Sequence, residues 1–139
     1  MATHTSEILV HASASRIFDA LTKPELVARW QFGRVLRTTW EAGSEIRFRT
    51  EWDGGERVVE QWGIVREVLP GRVVEYDLFT PRQGCEDVAE NYCVTRYVLC
   101  ADGARTKVAI VQRDDRPDAF VPESLANILI SLKAVAEED

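Results

Sequence analysis

Two hydrophobic periods divide this chain. Over its last stretch, apolar residues recur at the helical angle of about 100° per residue, so that Val121, Leu125, Ile128, Leu129, Leu132, Val135 and Ala136 share an arc of roughly 120°. Ser124, Asn127 and Ser131 border that stripe, while Glu123, Lys133 and Glu137 sit near the opposite pole. This is the one long helix the pattern predicts, with a core over Pro122 to Ala136 and Pro122 at a first-turn position, which makes Asp118 to Val121 the entry turn. Glu137, Glu138 and Asp139 put negative charge where the helix dipole disfavours it, so the end is expected to fray. Two shorter helices are predicted near the start. Ser13-Ala-Ser15 offers N-cap residues for a helix through Leu21, with Ile17 and Leu21 inward, and Pro24 opens a second running to about Trp30. Ahead of them, Glu7 to Ala12 reads as a strand.

From Trp40 onward the period falls to two. Ile46, Phe48, Thr50 and Trp52 alternate with Glu45, Arg47, Arg49 and Glu51, the pattern of a strand with one wet face. Asp53-Gly54-Gly55 turns the chain, Arg57 to Leu69 returns, Pro70-Gly71 turns again, and Arg72 to Thr80 follows, all with connections short enough to make neighbours antiparallel. A tight turn at Pro70-Gly71 points Val65, Val74, Tyr76 and Leu78 inward, pairs Arg66 with Glu75 outside, and sets Trp62 opposite Phe79 on the outer face as an exposed aromatic patch suited to a subunit interface. A bulge at Gly71 would instead turn Glu75 and Asp77 inward, at the cost of burying two carboxylates. Thr80 to Glu90 is a loop. Asp102-Gly103 fits a two-residue type I′ turn, which places Leu99 opposite Thr106, Tyr97 opposite Val108, Thr95 opposite Ile110 and Cys93 opposite Gln112. Cys93, Thr95, Tyr97, Leu99, Val108, Ile110 and Gln112 then look toward the long helix.

The sum is α+β: a strand, two short helices, five strands and a long helix, solved most economically by a bent antiparallel sheet of about six strands gripping the last helix. Length changes this little, since 139 residues suit one domain, 1–139. Charge narrows the partners. A net charge of −6 with no basic run speaks against nucleic acid, including for the short helix pair, and no apolar run of 18 residues suggests membrane insertion. No signal-peptide pattern is present at the start, so a cytoplasmic protein is expected. Cys85, Cys93 and Cys100 lack metal-ligand spacing and, with only His4 and His11 to join them, predict neither zinc nor a disulfide framework. His11, the single internal histidine, is placed as a structural hydrogen-bonding group rather than a base.

Ile17-Phe-Asp-Ala-Leu-Thr-Lys-Pro-Glu-Leu-Val-Ala-Arg-Trp30 closely resembles the opening of the START-like (SRPBCC) superfamily, in the branch similar to the C-terminal domain of the heat-shock-protein ATPase activator. Gly63-Ile-Val-Arg-Glu-Val-Leu-Pro-Gly-Arg-Val-Val-Glu-Tyr76 resembles that branch's Gly-x-Val-x-Glu-Val-x-Pro hairpin, and Thr106-Lys-Val-Ala-Ile-Val its segment before the final helix. The resemblance spans nearly the whole chain. It implies a helix-grip fold with an apolar cavity between the curved sheet and the long helix, in a superfamily whose members bind lipids, sterols, plant hormones or polyketides and include aromatases and cyclases. Gln31 stands where many relatives repeat the tryptophan, and Glu75 and Asp77 where relatives often carry aromatic residues, so this chain is the more polar at both places.

The leading expectation is a module that binds a small hydrophobic or amphipathic molecule, without cofactor or metal and with no assigned catalytic residue. Its candidate ligand-contacting residues are Trp30, Phe48, Val65, Tyr76, Leu78, Thr95, Tyr97, Val108, Ile110, Gln112, Leu125, Ile128 and Leu132. Tyr97, Tyr76, Thr95, Gln112 and Asn127 are the polar groups expected to converge there, as ligand anchors or as partners for one another. Two alternatives stand beside it: a cyclase, aromatase or hydrolase acting on an aromatic or polyketide-like compound in the same cavity, and a chaperone-regulating or other interaction domain. A homodimer is compatible with each, with Ile130, alone on the polar side of the last helix, pointing the same way.

Overall fold

A computed structural model of the protein describes residues 2–81, 83–114 and 122–138. In chain order the elements are β1 (Ala2–Val10), α1 (Ala14–Thr22), α2 (Pro24–Trp30), β2 (Val35–Arg37), β3 (Glu45–Trp52), β4 (Arg57–Leu69), β5 (Val73–Leu78), β6 (Cys93–Asp102), β7 (Arg105–Asp114) and α3 (Pro122–Ala136). The strands form one antiparallel sheet in the order β1-β7-β6-β5-β4-β3-β2. Its seven strands exceed the expected six by β2, whose three residues bury only Leu36 and so leave too short an alternation to read. The curved sheet and the helix laid on it make the α+β helix-grip fold. The expectations for the side chains of Ser124 and Trp52, for Val121 and for the entry turn over residues 118–121 lie outside the described residues.

The early helices follow their caps. Ser13 accepts from the backbone N–H of Arg16, Pro24 occupies the first turn of α2, and Ile17, Leu21, Val27 and Trp30 bury inward. Along α3, Leu125, Leu129, Leu132 and Ala136 are buried, with Ile128 and Val135 half-buried at the flanks and Ile130 exposed, as the stripe requires. The helix end does not fray as expected. Glu137 accepts from the His11 backbone N–H at 2.7 Å and from Lys133 Nζ at 2.6 Å, and Arg16 Nε donates to the Ala136 carbonyl at 2.6 Å. Lys133 Nζ also reaches the Leu9 carbonyl at 3.0 Å. The unfavourable charge at the terminus is thereby answered by donors from the β1–α1 corner, a tertiary effect outweighing the dipole.

Both hairpin registers differ from expectation while keeping their faces. At the last hairpin Asp102 pairs with Arg105, so the turn residues are Gly103 and Ala104, with a positive φ of 64° at Gly103 alone, as a type II′ turn has. Leu99 therefore faces Val108, Tyr97 faces Ile110 and Thr95 faces Gln112. The shift is by two residues, and because strand side chains alternate with period two, the inner face survives intact. At the β4–β5 hairpin the turn is one residue longer than expected, with Leu69 opposite Val73, and a register shift between Val65 and Glu67 restores Val65 to Tyr76. Val65, Val74, Tyr76 and Leu78 are buried inward, while Arg66 meets Glu75 outside at 3.2 Å.

Around Gly63, β4 changes partners. Its first half pairs with β3 and its second with β5, joined across the bend by the Trp62–Phe79 bridge. Gly63 sits at this bend against the Asp77 backbone, too close for any side chain, and the Asp77 carboxylate accepts the Ile64 N–H at 2.9 Å. Trp62 and Phe79 stack outside, as the register suggested, with centroids 5.5 Å apart. They do not form an exposed patch. Phe79 is buried because Tyr92 packs on it at 5.5 Å, and Asp87 ties the cover down by accepting from Trp62 Nε1 at 3.0 Å and from the Tyr92 hydroxyl at 2.5 Å.

Candidate functional site

Between α2, α3 and the inner face of β3 to β7, the core opens into a cavity of about 510 Å³, within the size range of small-molecule sites. Trp30 ends α2 at its edge and is pinned there, its Nε1 donating to the Ala20 carbonyl at 2.7 Å. The sheet contributes Thr50, Gln61, Tyr76, Leu78, Cys93, Thr95, Tyr97 and Gln112, with Thr80 just beyond β5, and α3 contributes Asn127, Ile128 and Ser131. The α2–β2 loop closes the ring with Gln31, Phe32 and Arg34. Phe32, 88% exposed, and the exposed Asn127 mark where the cavity meets solvent.

Seven of the thirteen expected residues line this space: Trp30, Tyr76, Leu78, Thr95, Tyr97, Gln112 and Ile128. Phe48, Val65, Val108, Ile110, Leu125 and Leu132 are not on its wall; they are buried in the packed core beside it. The difference is one of depth along each element, which alternation does not encode. The five polar residues expected to converge, Tyr97, Tyr76, Thr95, Gln112 and Asn127, all border the cavity. Gln61, Thr80, Phe32 and Arg34 carry no sequence signal of their own. Gln31 had one, as the residue replacing a tryptophan.

Arg34 is the only charged side chain among the described lining residues. Its guanidinium lies 3.8 Å from the centroid of the Phe48 ring and donates to Gln31 Oε1 at 2.8 Å and to Gln61 Oε1. Gln61 in turn donates to the Thr80 hydroxyl at 2.7 Å, so two amides and a ring hold the cation in place. Burial pulls the Arg34 pKa down from its ordinary value, with the phenols of Tyr76 and Tyr97 opposing. Deeper in, burial raises the Tyr76 phenol and holds that of Tyr97 well above the usual range. Both are therefore neutral hydrogen-bonding groups at physiological pH. Gln112 Nε2 donates to the Thr95 hydroxyl at 3.1 Å, while Gln112 Oε1 is buried with no hydrogen-bond partner among the described residues. A buried polar atom left in this way is costly unless something supplies a donor.

Two other expectations find their place here. His11 is exposed at the β1–α1 corner, where its backbone rather than its ring makes the described hydrogen bond. Cys93 is on the cavity wall, Cys85 is half-buried and Cys100 exposed. Among the described residues no group of His, Cys, Asp and Glu is arranged to hold a metal, and no helix is long and apolar enough to cross a membrane.

Comparison with known proteins adds the lineage. Residues 11–131 match the family model described as activator of Hsp90 ATPase homolog 1-like protein. Among solved structures, a protein from Chromobacterium violaceum superposes with a TM-score of 0.79 at 21% identity, covering 99% of this chain and 98% of that one. The Aha1 dimer from Colwellia psychrerythraea gives 0.72 at 19% identity, covering 99% and 97%. DynU16, a protein in the dynemicin biosynthetic locus, gives 0.76 at 18% identity, covering 97% of this chain and 47% of that one. At these identities the likeness is one of fold. Among curated proteins none matches the chain.

Proposed function

The chain belongs to the activator of Hsp90 ATPase homolog 1-like family, within the START-like superfamily, and from that premise we propose that it is a binding module that takes up a small, mostly apolar molecule between α3 and the sheet. The observation that carries this reading is the cavity itself. Trp30, Tyr76, Leu78, Tyr97 and Ile128 border an open volume of about 510 Å³ beside the buried core, large for interiors that are otherwise close-packed. Burial of a ligand's apolar surface against these walls supplies the affinity, at about 25 cal/mol per Å² before the costs of association. The phenols, the Thr95 hydroxyl and the Gln112 amide orient what is bound.

Two measurements test the reading. Native mass spectrometry of the purified protein, followed by denaturation, is expected to release a small molecule in stoichiometric amount. Titration with the neutral fluorophore N-phenyl-1-naphthylamine is expected to give saturable enhancement that is lost in Ile128→Trp, where an indole fills the space without disturbing the fully buried stripe of α3. A bare protein that neither binds the fluorophore nor gains thermal stability from a panel of apolar compounds would overturn the proposal.

A further inference from the structure

The walls of the cavity explain why an apolar body would enter, but not why a cation waits inside. This protein carries a net charge of −6, and many of its exposed arginines are matched to carboxylates: Arg47 with Glu45, Arg49 with Glu51 and Glu60, Arg66 with Glu75, Arg96 with Glu67 and Glu75, and Arg105 with Asp102, while others, such as Arg37 and Arg72, stand in solvent. Arg34 is treated differently. It is more enclosed, desolvation already disfavours its charge, and its hydrogen-bond partners among the described residues are the neutral side chains of Gln31 and Gln61. Those two contacts occupy two of the five guanidinium N–H groups and leave the rest for an acceptor. The stack on Phe48 and the two amides fix the plane of the fork, which is the preparation a planar anion needs. On the same cavity wall, Gln112, 6% exposed, presents an oxygen that lacks a donor among the described residues.

We propose that the molecule taken up in this cavity is an amphipathic carboxylic acid, bound as the carboxylate by Arg34. The inference rests on the uptake reading above and adds the ligand's class. The carboxylate sits on the guanidinium at the α2–β2 loop, the apolar body lies against Leu78, Tyr97 and Ile128, and a hydroxyl or N–H on that body satisfies Gln112 Oε1. The arrangement neutralises the one desolvated charge of the site with the counter-ion the chain itself withholds.

Displacement of bound N-phenyl-1-naphthylamine by decanoate, decanamide and decylamine at neutral pH reads the charge preference in the unmodified protein. Decanoate is expected to displace the reporter at roughly tenfold to a hundredfold lower concentration than decanamide, the range of a charge-assisted hydrogen bond converted to affinity, and decylamine is expected to be weakest. In Arg34→Gln the gap between decanoate and decanamide closes to less than about twofold, and Arg34→Lys, a point charge without the fork, lies between. If the three compounds displace the reporter equally, or if Arg34→Gln keeps the preference, the acid assignment is wrong while uptake stands. If the reporter never binds, both fall. The ranking in the unmodified protein decides the question even where a variant fails to fold.

Discussion

Replacing Gly63 by alanine would place a methyl carbon 2.6 Å from the carbonyl carbon of Asp77 and 2.7 Å from its Oδ1, and nearer still to its carbonyl oxygen. Two of these three atoms are backbone, so no side-chain rotation relieves the clash. The strands must part. Parting them at this point loosens the paired bonds of the corner, Trp62 N–H to the Phe79 carbonyl at 3.2 Å and Phe79 N–H to the Trp62 carbonyl at 2.7 Å, together with Ile64 N–H to Asp77 Oδ1 at 2.9 Å. At about 1 kcal/mol net for each hydrogen bond, the loss is about 3 kcal/mol, which for a domain of this size lowers Tm by roughly ten degrees. Urea unfolding followed by tryptophan fluorescence measures it as a fall in midpoint at unchanged slope. Ile64→Ala, next along the strand and 43% exposed, is the control and is expected to cost less than about 1 kcal/mol. A Gly63→Ala protein within about 1 kcal/mol of the unmodified one would refute the claim that the corner of the sheet requires glycine for close approach.

Further outcomes follow from the same geometry. Leu132→Ala, at a position with no exposure on the inner face of α3, is expected to cost about 2–5 kcal/mol in urea unfolding, whereas Ile130→Ser, on the exposed face, stays within about 0.5 kcal/mol. The phenols of Tyr76 and Tyr97 are raised mainly by burial, and Tyr92 is pushed up to about 12 by burial and Asp87. A group with its folded pKa raised loses protons first in the unfolded chain, so stability should hold below about pH 10 and fall as pH rises above it. Absorbance at 295 nm would show little tyrosinate before unfolding, and ordinary tyrosine titration in the native protein would contradict the burial argument. Glu137 is lowered by its hydrogen bond to Lys133 and then by the His11 N–H. Its contribution is present above the usual carboxylate range and lost as pH falls through its folded value; Glu137→Gln should speed amide exchange in the last turn of α3, and unchanged exchange there would sink the tie.

The faces of the fold were legible because alternation and the 3.6-residue stripe are local. Ile46, Phe48, Val65, Tyr97 and Ile110 are buried as their spacing implies, and Leu125, Leu129 and Leu132 likewise. Register was less legible. Asp102-Gly103 announces a turn, but whether Gly103 takes its first or second central position depends on a single φ, and the answer moved every pair by two. The helix end failed for a different reason: the donors that hold Glu137, from His11 and Lys133, include one more than a hundred residues away. The cavity was half-visible. Tyr76, Thr95, Tyr97 and Gln112 share an inner face by alternation, whereas Arg34 belongs to a loop without periodicity and becomes notable only when Phe48, Gln31 and Gln61 are found around it. A site assembled from the depths of several elements leaves no pattern in any one of them.

The pairing of β1 with β7 also governs the order in which this protein can be made. The strand at residues 2–10 leaves the ribosome about a hundred positions ahead of its partner at residues 106–114. Until that strand arrives, β1 is an unclaimed edge. Closing so long a loop is slow relative to forming the β6–β7 hairpin. The nascent chain therefore carries β1 as an open template while the intervening residues are made, the interval in which edge-to-edge association competes with folding.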